Sequence, residues 1–419
     1  MNGLLTYPRN GNMLPGVSTS DVIMHDTEPR RISAFGGFLV KLTRLNWPLF
    51  LLLLGLCYFS FIMVSSATAT ATVPDIQKAP RMYVVFVPLG VIGFFVLALV
   101  DYKFWVKMAP FIGGIMLFLL IFVLLPTPWT TPVNNAKSWI RLPGLGGIQP
   151  AELSKVAYII CFALFLKWRE KKITRYTTFI FALGFTAIPL LLILRQPDFG
   201  SAMVFFPIMF IMMFVAGVPV RYLGIIVAIG IYIIAFCYMH IYRNNDPVSF
   251  LKPHQIERIK TFFDPEADPK GAGWNVRQSL IAIGSGGLEG SGIGNGPQTK
   301  YGNLPRTVSY NDFIFAVIGE ELGFKGALGV LCVLAFILLT CLWTAAFAGD
   351  NLGAMLASGV AALLFTHIFI NAGMTMQAAP VTGIPLPFIS YGGTFLIVCL
   401  TSMGLVQSVW IHRKPLNQT

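Results

Sequence analysis

Few charged residues interrupt this chain, and any that falls beside an apolar run needs a partner or a task. Glu152 and Lys155 stand three apart behind Gln149-Pro150, where helical spacing puts both on one face. They read either as an intrahelical ion pair or as the wall of a polar pocket that meets a charged substrate. Lys137-Ser138-Trp139-Ile140-Arg141 adds two cations just upstream. In Arg195-Gln196-Pro197-Asp198-Phe199-Gly200, between two apolar runs, the lone Asp198 reads first as a helix N-cap.

The most informative cluster is Asn311-Asp312-Phe313-Ile314-Phe315, running on to Gly319-Glu320-Glu321-Leu322-Gly323. Asp312 stands where a polar loop becomes an apolar run, and helical rise sets Glu320 roughly 12 Å deeper. As ordinary structure, Asp312 would cap the helix and Glu321 would pair with Lys325 at i+4, leaving Glu320 over. As chemistry, a carboxylate at a partly dry membrane mouth has its pKa raised, which suits a general base. The stretch from Gly383 to Gly393 holds Pro385, Pro387, Ser390 and Tyr391. It predicts a broken lead-in to the last apolar run, tolerated only where it lines a cavity or packs on protein.

Other motifs fall away. The acidic run from Asp264 to Gly271 is no calcium loop, because prolines interrupt it and the Gly and Glu positions of such a loop are missing. The glycine-rich stretch 284–296 lacks the Lys-Ser/Thr of a P-loop. It reads as a flexible external turn, or as amides that cradle a pyrophosphate. The 6 cysteines all lie in apolar runs without CxxC spacing, and are expected to be buried thiols rather than a disulfide framework or a metal site.

The elements that must position these groups follow from composition. Of 419 residues, 55% are apolar and 11% charged, with mean hydropathy +0.71. Soluble domains carry about 25% charged residues, so the chain is an all-α polytopic membrane protein, and soluble, disordered and collagen-like classes are excluded. Its net charge of +12 gathers in short segments as an orientation signal, and no nucleic-acid partner is expected. Spanning takes about 20 residues. Apolar stretches near 48–66, 83–100, 109–126, 151–168, 178–195, 201–218, 222–240, 313–346, 353–376 and 386–411 predict about ten transmembrane helices. Lys103 and Lys107, the basic loop 167–175, and Arg413 and Lys414 mark the cytoplasmic side, which takes both termini. The expected organisation is a mostly disordered cytoplasmic tail over 1–46, without a cleavable signal peptide, a membrane domain over 47–412 and a short tail over 413–419. One long external loop, 241–312, separates spans seven and eight.

Six strings, in order, carry a resemblance: NAKSWIRLPG, QPAELSK, RQPDFGSA, AIGSGGLEGSGIGNG, NDFIFAVIGEELGF and PVTGIPLPFISYGG. Together they resemble the SEDS family (shape, elongation, division and sporulation proteins) from about residue 47 to 412. The resemblance implies the SEDS fold and a peptidoglycan glycosyltransferase that polymerises lipid II into glycan strands on the outer face of the plasma (inner) membrane. It also implies a class B penicillin-binding protein as crosslinking partner and a divalent cation, Mg or Mn, with no organic cofactor. The family's catalytic Asp maps onto Asp312. Its QPSELxK motif maps onto Gln149, Pro150, Glu152, Leu153 and Lys155, with Ala151 in place of Ser. Its QPDLG motif maps onto Gln196, Pro197, Asp198 and Gly200, and its basic position before the DP-rich turn onto Arg258. The chain departs from the family where Tyr310-Asn311 replaces the usual His-Thr and Arg306 replaces a Glu, in a longer link. AIGSGGL and PVTGIPLPFISYGGT resemble the elongation branch (RodA-type), while GIGNG and the long tail lean to the division branch (FtsW-type).

On this reading Asp312 is the general base on the acceptor sugar hydroxyl. Arg141, Lys155 and Arg258 are candidate cations for the leaving pyrophosphate. Gln149, Glu152, Gln196, Asp198, Glu320, Ser390 and Tyr391 complete the expected substrate wall. The rival is a flippase for lipid-linked precursors, with Glu320 and Glu321 midway along its path, and a third reading is a scaffold that recruits a transpeptidase. Neither rival accounts for polar groups gathered at the outer mouth.

Overall fold

A computed structural model of the chain describes residues 34–413, apart from 72, 131–137, 143–145, 245–252, 265, 267, 269–270 and 305–307. The tail before residue 34, Lys137, Arg306 and Lys414 therefore lie outside the described residues. The polar tail expected over 1–46 ends in a short helix, α1 (Ala34–Thr43). The chain divides into one unit through Val40 and a second, compact unit from Lys41 to Thr419.

Helices form at all ten apolar stretches. Asn46 opens α2 (Trp47–Thr68) by accepting the Leu49 amide at 3.2 Å, with a proline in the first turn where no amide is missed. A single turn, α3 (Pro74–Gln77), leads into α4 (Ala79–Leu99), and α5 (Tyr102–Lys107) into α6 (Ala109–Phe122). A small antiparallel hairpin, β1 (Ile140–Leu142) and β2 (Gly146–Ile148), pairs Arg141 with Gly147. It hands the chain to α7 (Pro150–Trp168), which starts on its own proline. Then come α8 (Tyr176–Arg195), α9 (Phe199–Val215) and α10 (Val220–Phe236), the last prolonged by a π-helical turn over Cys237–Arg243.

The long segment that follows is folded rather than a plain loop. It contains α11 (Pro253–Phe263), α12 (Ala272–Gly286) and the short α13 (Pro297–Tyr301). Next are α14 (Ile314–Ala346) and α15 (Asn351–Thr375), capped by Asp350 on the Gly353 amide at 2.8 Å, and finally α16 (Gly393–Ile411). Among the described residues, seven helices are long and apolar enough to cross a membrane. Two shorter apolar ones, α6 and α9, join them, as does α7 with its buried charges. The protein is thus a multi-pass helical membrane protein.

Two expectations shift. The last span begins at Gly393, not at 386, because Pro385 and Pro387 and the left-handed backbone at Gly383 (φ 71) and Phe388 (φ 63) cannot continue a helix. The cysteines are not uniformly buried: Cys57, Cys161, Cys341 and Cys399 are, but Cys237 is half-buried and Cys332 is exposed.

The centre of the bundle is α15 and α16, whereas in α10 only Leu223 is buried. Between membrane helices association rests on close packing rather than on expelling water. The α4–α16 seam shows how: Gly90 faces Leu400, Gly93 faces Thr401, and Gly404 lies against the Phe94 carbonyl, so a side chain at 404 would have to part the helices.

Candidate active site

The structure holds the sequence fragments in place through three sets of contacts. The first is the loop before α14. Asp312 does not cap that helix; Phe313 holds the cap position, without a side-chain hydrogen bond. Instead, the Asp312 carbonyl accepts from Asn371 Nδ2 at 2.9 Å, and the same amide nitrogen donates to the Ile384 carbonyl at 2.8 Å. Asn371, fully buried on α15, thereby staples the Asp312 loop to the irregular 383–391 segment. Ser390 adds a second staple by donating to the Asn311 carbonyl at 2.6 Å, while its oxygen accepts the Leu386 amide at 2.7 Å. A third is the Tyr391 amide on the Tyr310 carbonyl at 3.0 Å, with the two tyrosine rings 5.6 Å apart.

With its backbone so held, the Asp312 carboxyl keeps one oxygen free of hydrogen bonds among the described residues. Its Oδ1 is buried and has no hydrogen-bond partner among the described residues. Its Oδ2 faces Gly383, where even a Cβ would stand 3.2 Å away. Burial pushes the Asp312 carboxyl up to about 7, against the pull of Arg258 and with a smaller push from Asp198. A carboxylate poised near neutrality and lacking a partner can take a proton from a hydroxyl.

The second support joins α7 and α9. Gln149 Nε2 donates to Asp198 Oδ2 at 2.7 Å, and Asp198 Oδ1 accepts the Ser201 amide at 2.9 Å, so Asp198 does cap α9. Gln196 is fully buried and donates to the Leu120 carbonyl at 3.1 Å, while its own carbonyl receives Ser138 Oγ at 3.0 Å. These bonds make Gln196 a brace rather than a substrate contact. Gly200 lies so close to the 382–384 backbone that a Cβ there would be 2.6 Å from the Thr382 carbonyl.

The third support is buried and charged. Lys155 is 0% exposed, and its ammonium sits 2.7 Å from Glu152 Oε1 and 3.1 Å from His367 Nε2. An ammonium has no lone pair, so His367 Nε2 must accept, and Nδ1 must carry the proton it donates to the Pro385 carbonyl at 3.0 Å. Ser201 completes the set by donating to Glu152 at 3.3 Å. The i+3 pair is therefore real, but Lys155 is sealed away from any substrate. Arg141 on β1 and Arg258 on α11 are, by contrast, both exposed.

Glu320 belongs elsewhere. Fully buried, it accepts the Gln298 amide at 2.5 Å and, on its other oxygen, the Thr299 amide at 3.1 Å and hydroxyl at 2.7 Å, capping α13. Glu321 accepts Ser66 Oγ at 2.5 Å, and Lys325 pairs with Glu289 instead of Glu321. The glycine-rich stretch is no free turn. Its Ser291 and Gly292 amides donate to the Glu320 and Glu321 carbonyls at 3.0 and 2.9 Å, so neither is free to cradle a phosphate. This contact forms where α14 breaks at Gly323 (φ 65), and a Cβ on Gly286, Gly290 or Gly323 would collide with backbone.

Sequence reading missed His367 and Asn371. Both sit in the apolar run THIFINAG, where a polar side chain inside a span is itself the signal that could have found them. Among the described residues no three His, Cys, Asp or Glu side chains converge on one point.

A helical membrane bundle that holds a buried carboxyl oxygen without a hydrogen bond among the described residues, beside an irregular, braced segment, defines the class of protein: a multi-pass membrane protein with a polar site between its helices. The chain belongs to the FtsW/RodA/SpoVE cell cycle protein family, whose model matches residues 46–415. It is 34% identical over 378 residues to the peptidoglycan glycosyltransferase MrdB of Escherichia coli (strain K12), covering 90% of this chain and 96% of that one. A probable peptidoglycan glycosyltransferase FtsW of Geobacter sp. (strain M18) is also 34% identical, over 363 residues, 84% of this chain and 92% of the other. Among solved structures, a chain of a peptidoglycan synthase complex that coordinates polymerization and crosslinking superposes with TM-score 0.71. The two are 29% identical, covering 88% of this chain and 98% of that one.

Proposed function

We propose that this protein is a peptidoglycan glycosyltransferase that polymerises lipid II, with Asp312 as the general base. The observation that carries this is the Asp312 carboxyl: its loop is pinned at Tyr310, Asn311 and Asp312, Oδ1 is buried without a partner among the described residues, and its pKa is raised to about 7. The base takes the proton of the acceptor disaccharide's 4-hydroxyl as that oxygen attacks the anomeric carbon of the growing chain. The bond to the lipid diphosphate breaks, and the electron pair leaves with the diphosphate. Arg141 and Arg258, both exposed, are the cations proposed to meet that charge.

A divalent cation is proposed here as an ion completed mostly by substrate. Mg²⁺ binds through one or two carboxylates plus phosphate oxygens, and Asp198, beside the mouth, would supply the protein's share. When bound, it would offset charge on the leaving diphosphate. The positive loops at 103–107 and 167–175 favour cytoplasmic termini and an external mouth. The partner proposed is a class B penicillin-binding protein, in line with the synthase complex that the fold resembles. An elongation role rests on the AIGSGGL and PVTGIPLPFISYGGT strings; relatives named MrdB and FtsW match at the same identity.

The test is a gel assay of purified protein with labelled lipid II and a divalent cation, with and without a co-expressed class B penicillin-binding protein. A ladder of glycan strands that vanishes in Asp312→Ala supports both the reaction and the base. A ladder that survives in the variant removes Asp312 from that role. Lipid II movement across liposome bilayers without any ladder would turn the reading to a flippase.

A further inference from the structure

Away from the mouth, two hollows on one side of the bundle share a wall. The first is an apolar groove of ≈ 580 Å³ between α6, α7 and α8, lined by Ala109, Gly113, Gly114, Leu164, Phe185 and Pro189 among others. Gly113 and Gly114 keep it deep: a Cβ at 113 would touch Cys161 at 3.1 Å, while one at 114 would point into open space. The second hollow begins where the first ends, at Leu164 and Trp168, and its wall is Lys167, Arg169, Glu170, Lys171 and Lys172. The pair is thus an apolar trough opening onto a polar rim of four cations and one anion, with Trp168 exposed at the join.

The rim is built unevenly, and that shows which charges are on offer. Arg169 is committed: it donates to Thr177 and Thr178 at 3.1 and 3.2 Å and lies 5.2 Å over the Phe181 ring. Glu170 accepts from Asn351 at 3.3 Å. The next acid, Asp350, is occupied by Tyr102, the Gly353 amide and Lys103. Lys167, Lys171 and Lys172 are exposed and have no acidic partner among the described residues. An orientation signal needs only charge near a membrane face. It needs neither a glycine-deepened trough ending at those lysines nor an arginine pinned to shape the rim.

We infer that this groove and rim form a binding site for an anionic glycerophospholipid, with an acyl chain between α6, α7 and α8 and the phosphate on Lys167, Lys171 and Lys172. An acyl chain matches the trough, which is apolar along its length, and the anionic headgroup matches three uncommitted ammonium groups within one turn of its mouth. Trp168 has the amphipathic ring that favours the headgroup level. None of these residues belongs to the site around Asp312.

The test is native mass spectrometry of the full-length protein, stripped of lipid in detergent and titrated with phosphatidylglycerol or phosphatidylcholine. Parallel titrations use inorganic phosphate and a soluble glycerophosphate. The expected result is retention of phosphatidylglycerol over phosphatidylcholine, weakened roughly tenfold or more by Lys171→Gln with Lys172→Gln. The double arginine variant at those positions should restore retention. Gly114→Leu, which fills the trough, should also abolish retention, whereas Gly114→Ala should keep it. Each variant is accepted only if its gel-filtration profile matches wild type, and the Ala and Arg variants provide the contrast should Leu or Gln disturb folding. Equal retention of both lipids, or a preference that survives Gly114→Leu, would overturn the site and leave ordinary boundary lipid. Competition by soluble phosphate as strong as by the lipid would overturn the acyl-chain half and with it the proposal.

Discussion

Asp312 and Glu320 lie within three turns of each other on one stretch of chain, one just before α14 and the other inside it, and the structure treats them oppositely. Glu320 is fully buried and satisfied, with three donors on its two oxygens. Asp312 has a tightly held backbone and an Oδ1 with no donor among the described residues. A buried carboxylate with a full set of donors stabilises a fold, because its charge is met. One left without donors costs stability and is kept where something else requires it. The contrast therefore separates an acid that holds the protein together from the acid proposed to act.

The largest effect that could break this comparison is at Asp312. Asp312→Asn should lower polymerisation by about 10²–10⁴-fold, the usual share of a general base. Lipid II gel assays and a thermal melt, run together, should show activity lost and melting undiminished. A melting loss equal to that of Glu320 variants would erase the distinction.

The same residue predicts a pH dependence. Its folded pKa of about 7 lies above its ordinary value of 3.8. The folded state therefore binds more protons between those pH values, and its stability falls as pH rises through that window. Activity should instead rise through pH 7 as the base ionises. In Asp312→Asn the stability slope between pH 4 and 7 should flatten, as read by melting curves across a pH series.

Glu320→Ala is the converse. Removing the acceptor leaves the Gln298 and Thr299 donors unmet, at roughly 1–3 kcal/mol. Chemical denaturation should register this loss, while activity per folded molecule should change far less than in Asp312→Asn. Between the two extremes lies Asn371→Ala, which removes both bonds from the staple at about 1 kcal/mol each. It should lower turnover roughly tenfold by loosening the Asp312 loop, with the acid itself intact. The smallest effect belongs to Lys325→Ala. That exposed pair with Glu289 should contribute at most about 1 kcal/mol, seen as an almost unchanged melt.

What was legible in the sequence was local. The spacing of Glu152 and Lys155 announced their contact because helix geometry brings i and i+3 together, and Asp198 before an apolar run announced a cap. The ten spans were legible from length and hydropathy. The partners of these groups were not. His367 meets Lys155 across 212 residues, and Gln149 meets Asp198 across 49, so only the packing of helices brings them together. The i+4 rule also misled at Lys325. It presumes an unbroken helix, and Gly323 lets the glycine-rich turn carrying Glu289 reach the lysine first. That stretch reads as slack because glycine lacks a side chain; its use here is to let two backbones touch.

The break at Gly323 also sets how much of α14 is needed to cross the bilayer. The helix has 33 residues, about 50 Å of rise against roughly 30 Å of hydrocarbon. The part after the break, from Phe324 to Ala346, is about 35 Å long by itself. Hydrophobic thickness is thus matched by that part alone, and the turns bearing Glu320 and Glu321 are surplus length at its end. Carboxylates there sit off the midplane, where a carrier that exposes its cargo alternately to both faces would have no use for them.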